Sequence, residues 1–306
     1  MIVSIGLRAD VIGSDTTIYK ESYDYMTFLD SENYEPTWIA ICGFVRFQQK
    51  DFWCVQFIYS IITIFPICYI ISKDSKLPYF SLLLFVILGF YFYSFNIIRQ
   101  MAAVSMGGMA VYFFVNKRNL YSIIFCVLAI LFHKTAVFIL IILLFYSFFS
   151  NSIAKNTEKI LFISLILGLF IFSFFKDFAV FSPVEKYQSY GEYADEKEAN
   201  ILALFLMNCT QTFFNIAFYK KQKKDLDNQS YFCFYTISTM LLNLFAYNIG
   251  MNRLAYYFSI ISIIAIPNIY YNKNKDAYYI IYIIFCFLLY SHSICQNSSE
   301  IYPFNI

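Results

Sequence analysis

Long apolar runs recur along almost the whole chain, and this feature limits the fold more than any other. A bilayer core about 30 Å thick is crossed by a helix of about 20 apolar residues. Apolar character within the runs is continuous rather than alternating, which excludes a transmembrane β-barrel. Ten candidate spans lie at residues 52–72, 78–95, 99–115, 119–132, 135–150, 160–176, 200–219, 231–248, 254–271 and 277–294.

The composition supports the same interpretation. Hydrophobic residues make up 60% and charged residues 14% of the 306 residues, whereas soluble domains average about 25% charged residues. So much apolar surface leaves no free basic face, which argues against a nucleic-acid-binding protein. The eight cysteines lie mostly in apolar runs without CxxC spacing, and we interpret them as small buried side chains. The predicted fold class is all-α, a polytopic integral membrane bundle of about ten transmembrane helices.

Lysine and arginine in the connections predict which side of the membrane each connection faces. Five alternate loops hold 12 of the 22 Lys and Arg residues but 5 of the 20 acidic residues, so we assign them to the cytoplasm. The clearest of them reads KKQKKDLDNQS. The acidic segments 1–51 and 177–199 then face outward. The five loops are residues 73–77, 116–119, 151–159, 220–230 and 272–276.

Residues 120–149 allow two topologies. They could form one long helix interrupted by His133 and Lys134, or a hairpin of two short helices. A single helix would move the Lys-rich segment 220–230 to the outside, so the positive-inside bias favours the hairpin. The first arm, 120–132, rises only about 20 Å, which would sink the turn at His133 below the outer surface, in protein or a water-filled cavity.

These patterns divide the chain into three parts. Residues 1–51 form an extracytoplasmic segment in which Glu35 and Pro36 precede an interfacial amphipathic helix. Residues 52–295 form the transmembrane domain with its outer loop 177–199, and residues 296–306 form a short extracytoplasmic tail. The first six residues cannot span a membrane and lack signal-peptide architecture. We expect either that one N-terminal helix is missing or that the helix at 52–72 carries the N-terminus across, and we favour the former.

Arginine is distributed against the positive-inside trend. Four of the five arginines and both histidines map to the outer side: Arg8, Arg46, Arg99, Arg253, His133 and His292. A guanidinium group grips phosphate through two hydrogen bonds and stays charged in any environment. The distribution therefore indicates an anionic ligand at the outer face.

Each of these residues also has a simpler interpretation. Arg99 and Arg253 could be end-caps whose side chains reach the membrane surface. His133 could be a structural histidine in the core or at the interface. Arg8 and Asp15 could pair with each other to hold a loop.

Several functional classes have no support in the sequence. There is no Walker P-loop and no HExxH motif, and the two histidines are isolated, so we predict neither ATPase chemistry nor a metal site. We expect no cofactor. No carboxylate lies in the middle of a predicted span, which argues against an ion-coupled transporter.

Short segments follow one another along the chain in an order that is typical of one family. They are GLRADVIGSDTTIYK, a Glu-Pro before an apolar stretch, IIRQMAAVSMGGMAVYFF, ILFHKTAVFILIILL, NRLAYYFSIISIIAIPNI and IYPFNI. Each is weak alone, but together and in this order the sequence resembles the EpsG-type branch of the Wzy-like polysaccharide polymerases. Two features depart from the family pattern: its usual first membrane helix is missing, and Ser14 separates Gly13 from Asp15.

The resemblance implies a metal-independent membrane glycosyltransferase with a GT-C-like helical fold. It would join oligosaccharide repeat units carried on undecaprenyl diphosphate, at the outer face of the bacterial cytoplasmic (inner) membrane, for a capsule, exopolysaccharide or O-antigen. Its partners would be that lipid-linked glycan, the lipid bilayer, and a chain-length regulator and a flippase of the same pathway. Three other activities stay open: a ligase for lipid-linked glycans, a lipid-linked oligosaccharide flippase or exporter, and a membrane O-acyltransferase.

The resemblance also suggests roles for individual residues. Arg99 and Arg253 would bind the diphosphate and stabilise the charge of the leaving group. His133 is the candidate base for the acceptor hydroxyl, with Asp15 as the alternative. The predicted catalytic residues are His133, Arg99, Arg253 and Asp15, and the predicted substrate-binding residues are Arg8, Gln100, Tyr19, Tyr187 and Tyr190.

Overall fold

The computed structural model of the chain describes residues 1–10, 12–13, 15–25, 34–180, 201–222, 229–245, 249–272 and 277–295. Within these ranges the regular elements are helices, and no strand occurs. Two single 3-10 turns, Lys134–Ala136 and Arg253–Ala255, accompany them. The α-helices are α1 (Ile2–Gly6), α2 (Thr16–Tyr25), α3 (Pro36–Phe47), α4 (Phe52–Asp74), α5 (Pro78–Ile87), α6 (Phe90–Asn96), α7 (Ile98–Val115), α8 (Asn119–Phe132), α9 (Val137–Val180), α10 (Ile201–Gln222), α11 (Gln229–Phe245), α12 (Ile249–Asn252), α13 (Tyr256–Ser259), α14 (Ser262–Asn272) and α15 (Ala277–Cys295).

Five helical segments of the described chain are long and apolar enough to cross a membrane. They are α4, α7, α15, Lys134–Ile171 and Arg253–Tyr271. Helices α5 and α6 make a sixth if they are one span, bent by 50° at its break; Gly89 at this break has a φ of +85°, which favours glycine. A multi-pass helical membrane protein is therefore confirmed, while the total of ten spans and the GT-C-like arrangement stay predictions.

The predicted connection at residues 151–159 is helical rather than an open loop. The two predicted spans on either side of it meet at a kink within α9, at Asn156. Only Asn156 departs from helical geometry, with φ −114° and ψ 18°. The segment contains polar residues but neither Gly nor Pro to stop a helix. Asn156 and Thr157 instead donate side-chain hydrogen bonds to carbonyls one turn earlier, at 3.0 and 2.9 Å.

The chain folds as two compact units. The first comprises Met1–Leu144 and Tyr270–Ile306, and the second comprises Phe145–Ile269. The sequence-based division at residues 51 and 295 concerns sides of the membrane, and it stays a prediction.

Helix α7 is the centre of the first unit. Nearly all of its side chains are buried, and its Ala, Ser and Gly residues let α4 and α8 approach closely. Two hydroxyl groups tie these helices together: Ser105 donates to the Thr63 carbonyl at 2.8 Å, and Ser122 donates to the Ala110 carbonyl at 2.9 Å. The small residues of the segment RQMAAVSMGGMA thus pack closely against their neighbours, and α7 is a rigid support for Arg99 in its first turn.

In the second unit, polar groups connect the helices. Asn243 on α11 donates to Thr212 on α10 at 2.9 Å and to Ser164 on α9 at 3.0 Å, and all three residues are buried. The backbones of α9 and α11 nearly touch, because a Cβ atom at Gly168 would come within 2.1 Å of the Asn243 carbonyl oxygen. Satisfied amide and hydroxyl groups of this kind stabilise helix pairs in a membrane.

Candidate active site

Three helix ends meet in the first unit, and each carries an ionisable side chain. Pro36 occupies the first position of α3, where its missing N–H costs nothing. A proline also forces the residue before it into an extended conformation, and Glu35 has φ −72° and ψ 148°. Arg99 lies in the first turn of α7, directly after the backbone break at Ile97. His133 follows the last residue of α8.

The predicted break at His133 is confirmed. Helix α8 ends at Phe132, and His133 is extended, with φ −158° and ψ 122°. Its backbone N–H still donates to the Ala129 carbonyl at 2.9 Å. This conformation turns the imidazole away from the α8 axis and toward the start of α3.

Glu35 binds two of the predicted catalytic residues, Arg99 and His133. One carboxylate oxygen, Oε2, accepts a hydrogen bond from Arg99 Nη1. The other, Oε1, lies 2.8 Å from His133 Nδ1. The Glu35 side chain is 6% exposed, whereas those of Arg99 and His133 are 20% and 26% exposed. The carboxylate therefore lies beneath two groups that reach the surface.

The protonation of the cluster follows from this geometry. Burial alone would raise the pKa of Glu35, but the hydrogen bond to His133 and the charge of Arg99 outweigh it and lower the pKa to about 2. An ionised carboxylate can only accept hydrogen bonds, so His133 Nδ1 carries the proton. In neutral imidazole the lone pair then lies on Nε2, which is the arrangement of a general base oriented by a carboxylate.

The lowered pKa predicts how stability depends on pH. Ionised Glu35 stabilises the folded protein fully above about pH 4.5, the ordinary value, and we expect the stabilisation to decline as the pH falls toward about 2. A pKa difference of one corresponds to 1.36 kcal/mol, so ionised Glu35 contributes on the order of 3 kcal/mol to the free energy of unfolding. The measurement is the thermal unfolding of wild type and Glu35→Gln in detergent between pH 2 and 7. The difference between their thermal midpoints should become smaller as the pH falls.

Glu158→Gln is the control for this measurement. Glu158 forms an exposed ion pair with Lys220 at 3.9 Å, and such pairs contribute little. If the difference in thermal midpoint between wild type and Glu35→Gln stayed constant across this pH range, it would contradict the buried carboxylate cluster.

Aromatic rings surround the Arg99 guanidinium. Its carbon lies 5.3 Å from the ring centroid of Tyr19, 5.5 Å from that of Tyr34 and 5.6 Å from that of Trp38. The rings of Tyr19 and Trp38 are also in contact, with their centroids 5.2 Å apart. Burial raises the pKa of Tyr19, so this residue stays a neutral phenol. Cation–π contacts of this kind hold the guanidinium plane in place. The structure thus brings Tyr19, a predicted substrate-binding residue, against Arg99.

Arg99 retains hydrogen-bonding capacity. Its Nε atom is buried and has no hydrogen-bond partner among the described residues. A buried N–H without a partner costs about 1–3 kcal/mol. The Arg99 side chain as a whole is 20% exposed, so an additional anion can approach the guanidinium from the surface.

Arg8 has a different environment. It is 2% exposed, and all three guanidinium nitrogens donate to protein acceptors: Nη1 to the Ile5 carbonyl at 2.6 Å, Nε to the Ile12 carbonyl at 3.3 Å, and Nη2 to Thr16 Oγ1 at 3.3 Å and the Phe95 carbonyl at 2.8 Å. Burial lowers its pKa to about 10, so it stays charged. Arg8 therefore anchors the N-terminal segment to the end of α6, one turn before Arg99.

Gly13 is required for this anchor. Its φ is +96°, and a Cβ atom there would lie 2.6 Å from Asn96 Oδ1 and 2.8 Å from the Phe95 carbonyl oxygen. We expect Gly13→Ala to lower the free energy of unfolding by roughly 2 kcal/mol or more, from backbone strain and overpacking. The measurement is the thermal midpoint of the purified protein.

Gly43→Ala is the matched control for Gly13→Ala. Gly43 lies inside α3, and a Cβ atom there would meet nothing within 4 Å. Alanine favours a helix over glycine by about 1 kcal/mol, so this variant should be equally or more stable. A Gly13→Ala protein as stable as Gly43→Ala would contradict the anchor.

The remaining predicted residues lie in different places. The Asp15 carbonyl accepts the backbone N–H of Tyr19 at 3.1 Å in the first turn of α2. Gln100 is buried next to Arg99. Arg253 belongs to the second unit, in the 3-10 turn before α13. Tyr187 and Tyr190 lie outside the described residues.

Glu35 is the residue that sequence reasoning missed. It was noted only as the residue before an interfacial helix. A signal was present, because an acidic residue directly before Pro and an apolar helix marks a carboxylate at the edge of the membrane region. Its partners lie 64 and 98 residues away along the chain, so spacing could not reveal the pairing. No group of three or more His, Cys, Asp or Glu residues suited to hold a metal occurs in the described part of the chain.

The family model described as the EpsG family matches residues 1–306, the whole chain. No curated protein and no solved structure matches.

Proposed function

Because the chain belongs to the EpsG family, a Wzy-like polysaccharide polymerase family, we propose that it joins glycan repeat units carried on undecaprenyl diphosphate. The observation that carries the proposal is the bridge from Glu35 to Arg99 and His133. It combines an oriented base with an anion-binding cation on the ends of three packed helices. A glycosyl transfer with a diphosphate leaving group needs both.

The reaction has a simple balance of bonds. The acceptor hydroxyl, at the sugar end of one lipid-linked glycan, loses its proton to His133 Nε2. Its oxygen forms a bond to the anomeric carbon of the donor glycan. The bond from that carbon to the diphosphate oxygen breaks, and the electron pair leaves with undecaprenyl diphosphate. The imidazolium then carries the extra proton and is stabilised by the ionised Glu35.

Arg99 acts on the leaving group. Negative charge on the bridging oxygen grows as the anomeric bond breaks, and a fixed cation stabilises that charge without reorganisation. The rings of Tyr19, Tyr34 and Trp38 and the carboxylate of Glu35 hold the guanidinium. Arg253 stays a proposed diphosphate ligand on the family resemblance alone, and Asp15 stays the alternative base. Arg8 we assign to holding the N-terminal segment, because its nitrogens already donate to protein.

The proposed location is the bacterial cytoplasmic (inner) membrane, with the active side facing outward. The segregation of basic loops from acidic segments supports this orientation. One of the five connections, 151–159, is helical with a kink at Asn156, and the proposed orientation takes this kink as the point where the chain turns back between two spans. The chain-length regulator and the flippase are proposed as pathway partners.

The test is deletion of the gene and its restoration. Polysaccharide is resolved as a ladder on a gel, and single repeat units are detected on the cell surface. We expect the deletion strain to lose the ladder while it still displays single units, and the restored gene to recover it. Purified protein with lipid-linked repeat units as its only substrates should then form the ladder. Repeat units that accumulate on the cytoplasmic side instead would overturn the polymerase and favour an exporter.

A further inference from the structure

A second hydrogen bond joins the two helix ends that carry Glu35 and His133. Thr37 lies in the first turn of α3, two residues after Glu35, and Leu131 lies in the last turn of α8, two residues before His133. Thr37 Oγ1 donates to the Leu131 carbonyl oxygen at 2.7 Å. The Glu35–His133 bond and the Thr37–Leu131 bond therefore run side by side between α3 and α8.

The Leu131 carbonyl needs an external partner. The last four carbonyls of an α-helix have no N–H partner within it. Beyond Leu131 the chain leaves the α8 path at His133. The Thr37 hydroxyl supplies a partner for the Leu131 carbonyl from a neighbouring helix.

Trp38 of α3 also donates a hydrogen bond through Nε1, but its acceptor is Ser22 Oγ on α2 at 3.0 Å, so this bond does not set the register of α3 against α8. The buried face of α3 consists of Trp38, Cys42 and Val45, and apolar packing fixes the distance between helices better than their axial register. A hydrogen bond weakens steeply as its angle and length change. Catalytic groups must be held within about 0.5 Å of the productive geometry, so a directional bond two residues from each partner is well placed to set the register.

We propose that Thr37 is a positioning residue for the base. It fixes the start of α3 against the end of α8, so that Glu35 Oε1 stays within hydrogen-bond distance of His133 Nδ1 and Nε2 points toward the acceptor hydroxyl. This inference rests on the proposed function and adds a residue that touches no substrate. Thr37 therefore affects the reaction rate only by positioning Glu35.

Three single variants test this role with purified enzyme and lipid-linked repeat units. Thr37→Val keeps the shape and loses the hydroxyl, and we expect kcat to fall by roughly 10- to 100-fold with little change in KM, since a 1 Å misplacement costs up to about 10²-fold. Thr37→Ser keeps the hydroxyl and should restore most of the rate. Thr157→Val is the matched control, because Thr157 is buried and its hydroxyl donates to the carbonyl of Ile153 in its own helix; its kcat should stay within about twofold of wild type.

A double-mutant cycle identifies the route of the effect. In the Glu35→Gln background, Thr37→Val should lower kcat by no more than about twofold further, because its partner is already lost. If the two losses multiply, or if Thr37→Val alone keeps the wild-type kcat, the positioning role is wrong. Should Thr37→Val not fold, Thr37→Ala, which also lacks the hydroxyl, takes its place in the cycle.

Failure of the proposed function would look different. Wild-type protein that does not join lipid-linked units under any condition overturns the polymerase, and with it the role of Thr37. Wild-type activity that requires Glu35 and His133 but not Thr37 overturns this inference alone.

Discussion

We expect His133→Asn to lower the rate of glycan polymerisation by roughly 10²- to 10⁴-fold, the range that a general base contributes. The asparagine amide can still donate a hydrogen bond to Glu35 from near the position of Nδ1, so the carboxylate keeps a partner. It cannot accept a proton at the position of Nε2. The measurement is the rate at which purified enzyme extends lipid-linked repeat units, with substrate binding measured separately and expected to change little.

His292→Asn provides the matched control. His292 is exposed in the last turn of α15, so its replacement should leave the rate within about twofold of wild type. The thermal midpoint of each variant shows that it is folded. A folded His133→Asn protein that polymerises at the wild-type rate would exclude His133 as the base and leave Asp15 as the alternative.

The helices could be predicted from the sequence because apolar length is a strong signal in a membrane protein. Residues 119–132 were assigned to one helix, and α8 has these bounds. The segment 151–159 predicts a join between two spans, and the structure has a kink there, at Asn156, but no open loop. Polarity marks where a helix meets water, and without Gly or Pro the residues on both sides of Asn156 stay helical.

The candidate site was predictable by residue type but not by pairing. Arg99 and His133 were identified because charge at the edge of an apolar helix is costly. Glu35, their shared partner, depends on tertiary packing of α3 against α8, which no local pattern encodes. Arg8 shows a second limit of residue type: the same arginine chemistry that suggests a phosphate ligand also suits backbone carbonyls, and its hydrogen bonds to Ile5, Ile12 and Phe95 come from tertiary packing.

Arg99→Lys tests the other half of the site. Lysine keeps the positive charge but loses the planar fork that donates to Glu35 and to a phosphate oxygen at the same time. It also gives up the flat cation that lies against Tyr19, Tyr34 and Trp38. We expect the rate of polymerisation to fall by roughly 10²-fold, the loss typical of removing one electrostatic donor from a transition state, as measured by single-turnover release of undecaprenyl diphosphate.

The control is Arg118→Lys, the same substitution at the exposed residue before α8, which should release undecaprenyl diphosphate at the wild-type rate. The comparison separates charge from geometry. If Arg99→Lys also matched wild type, a point charge would suffice and the guanidinium would not clamp the leaving group. If the Arg99→Lys protein were instead both inactive and unfolded, the loss of activity would result from breaking the bridge to Glu35. In that case the thermal midpoint of Glu35→Gln at neutral pH should also be lower than that of wild type. A folded Arg99→Lys enzyme with a slow release step is the result that ties the charge on Arg99 to the bond that breaks.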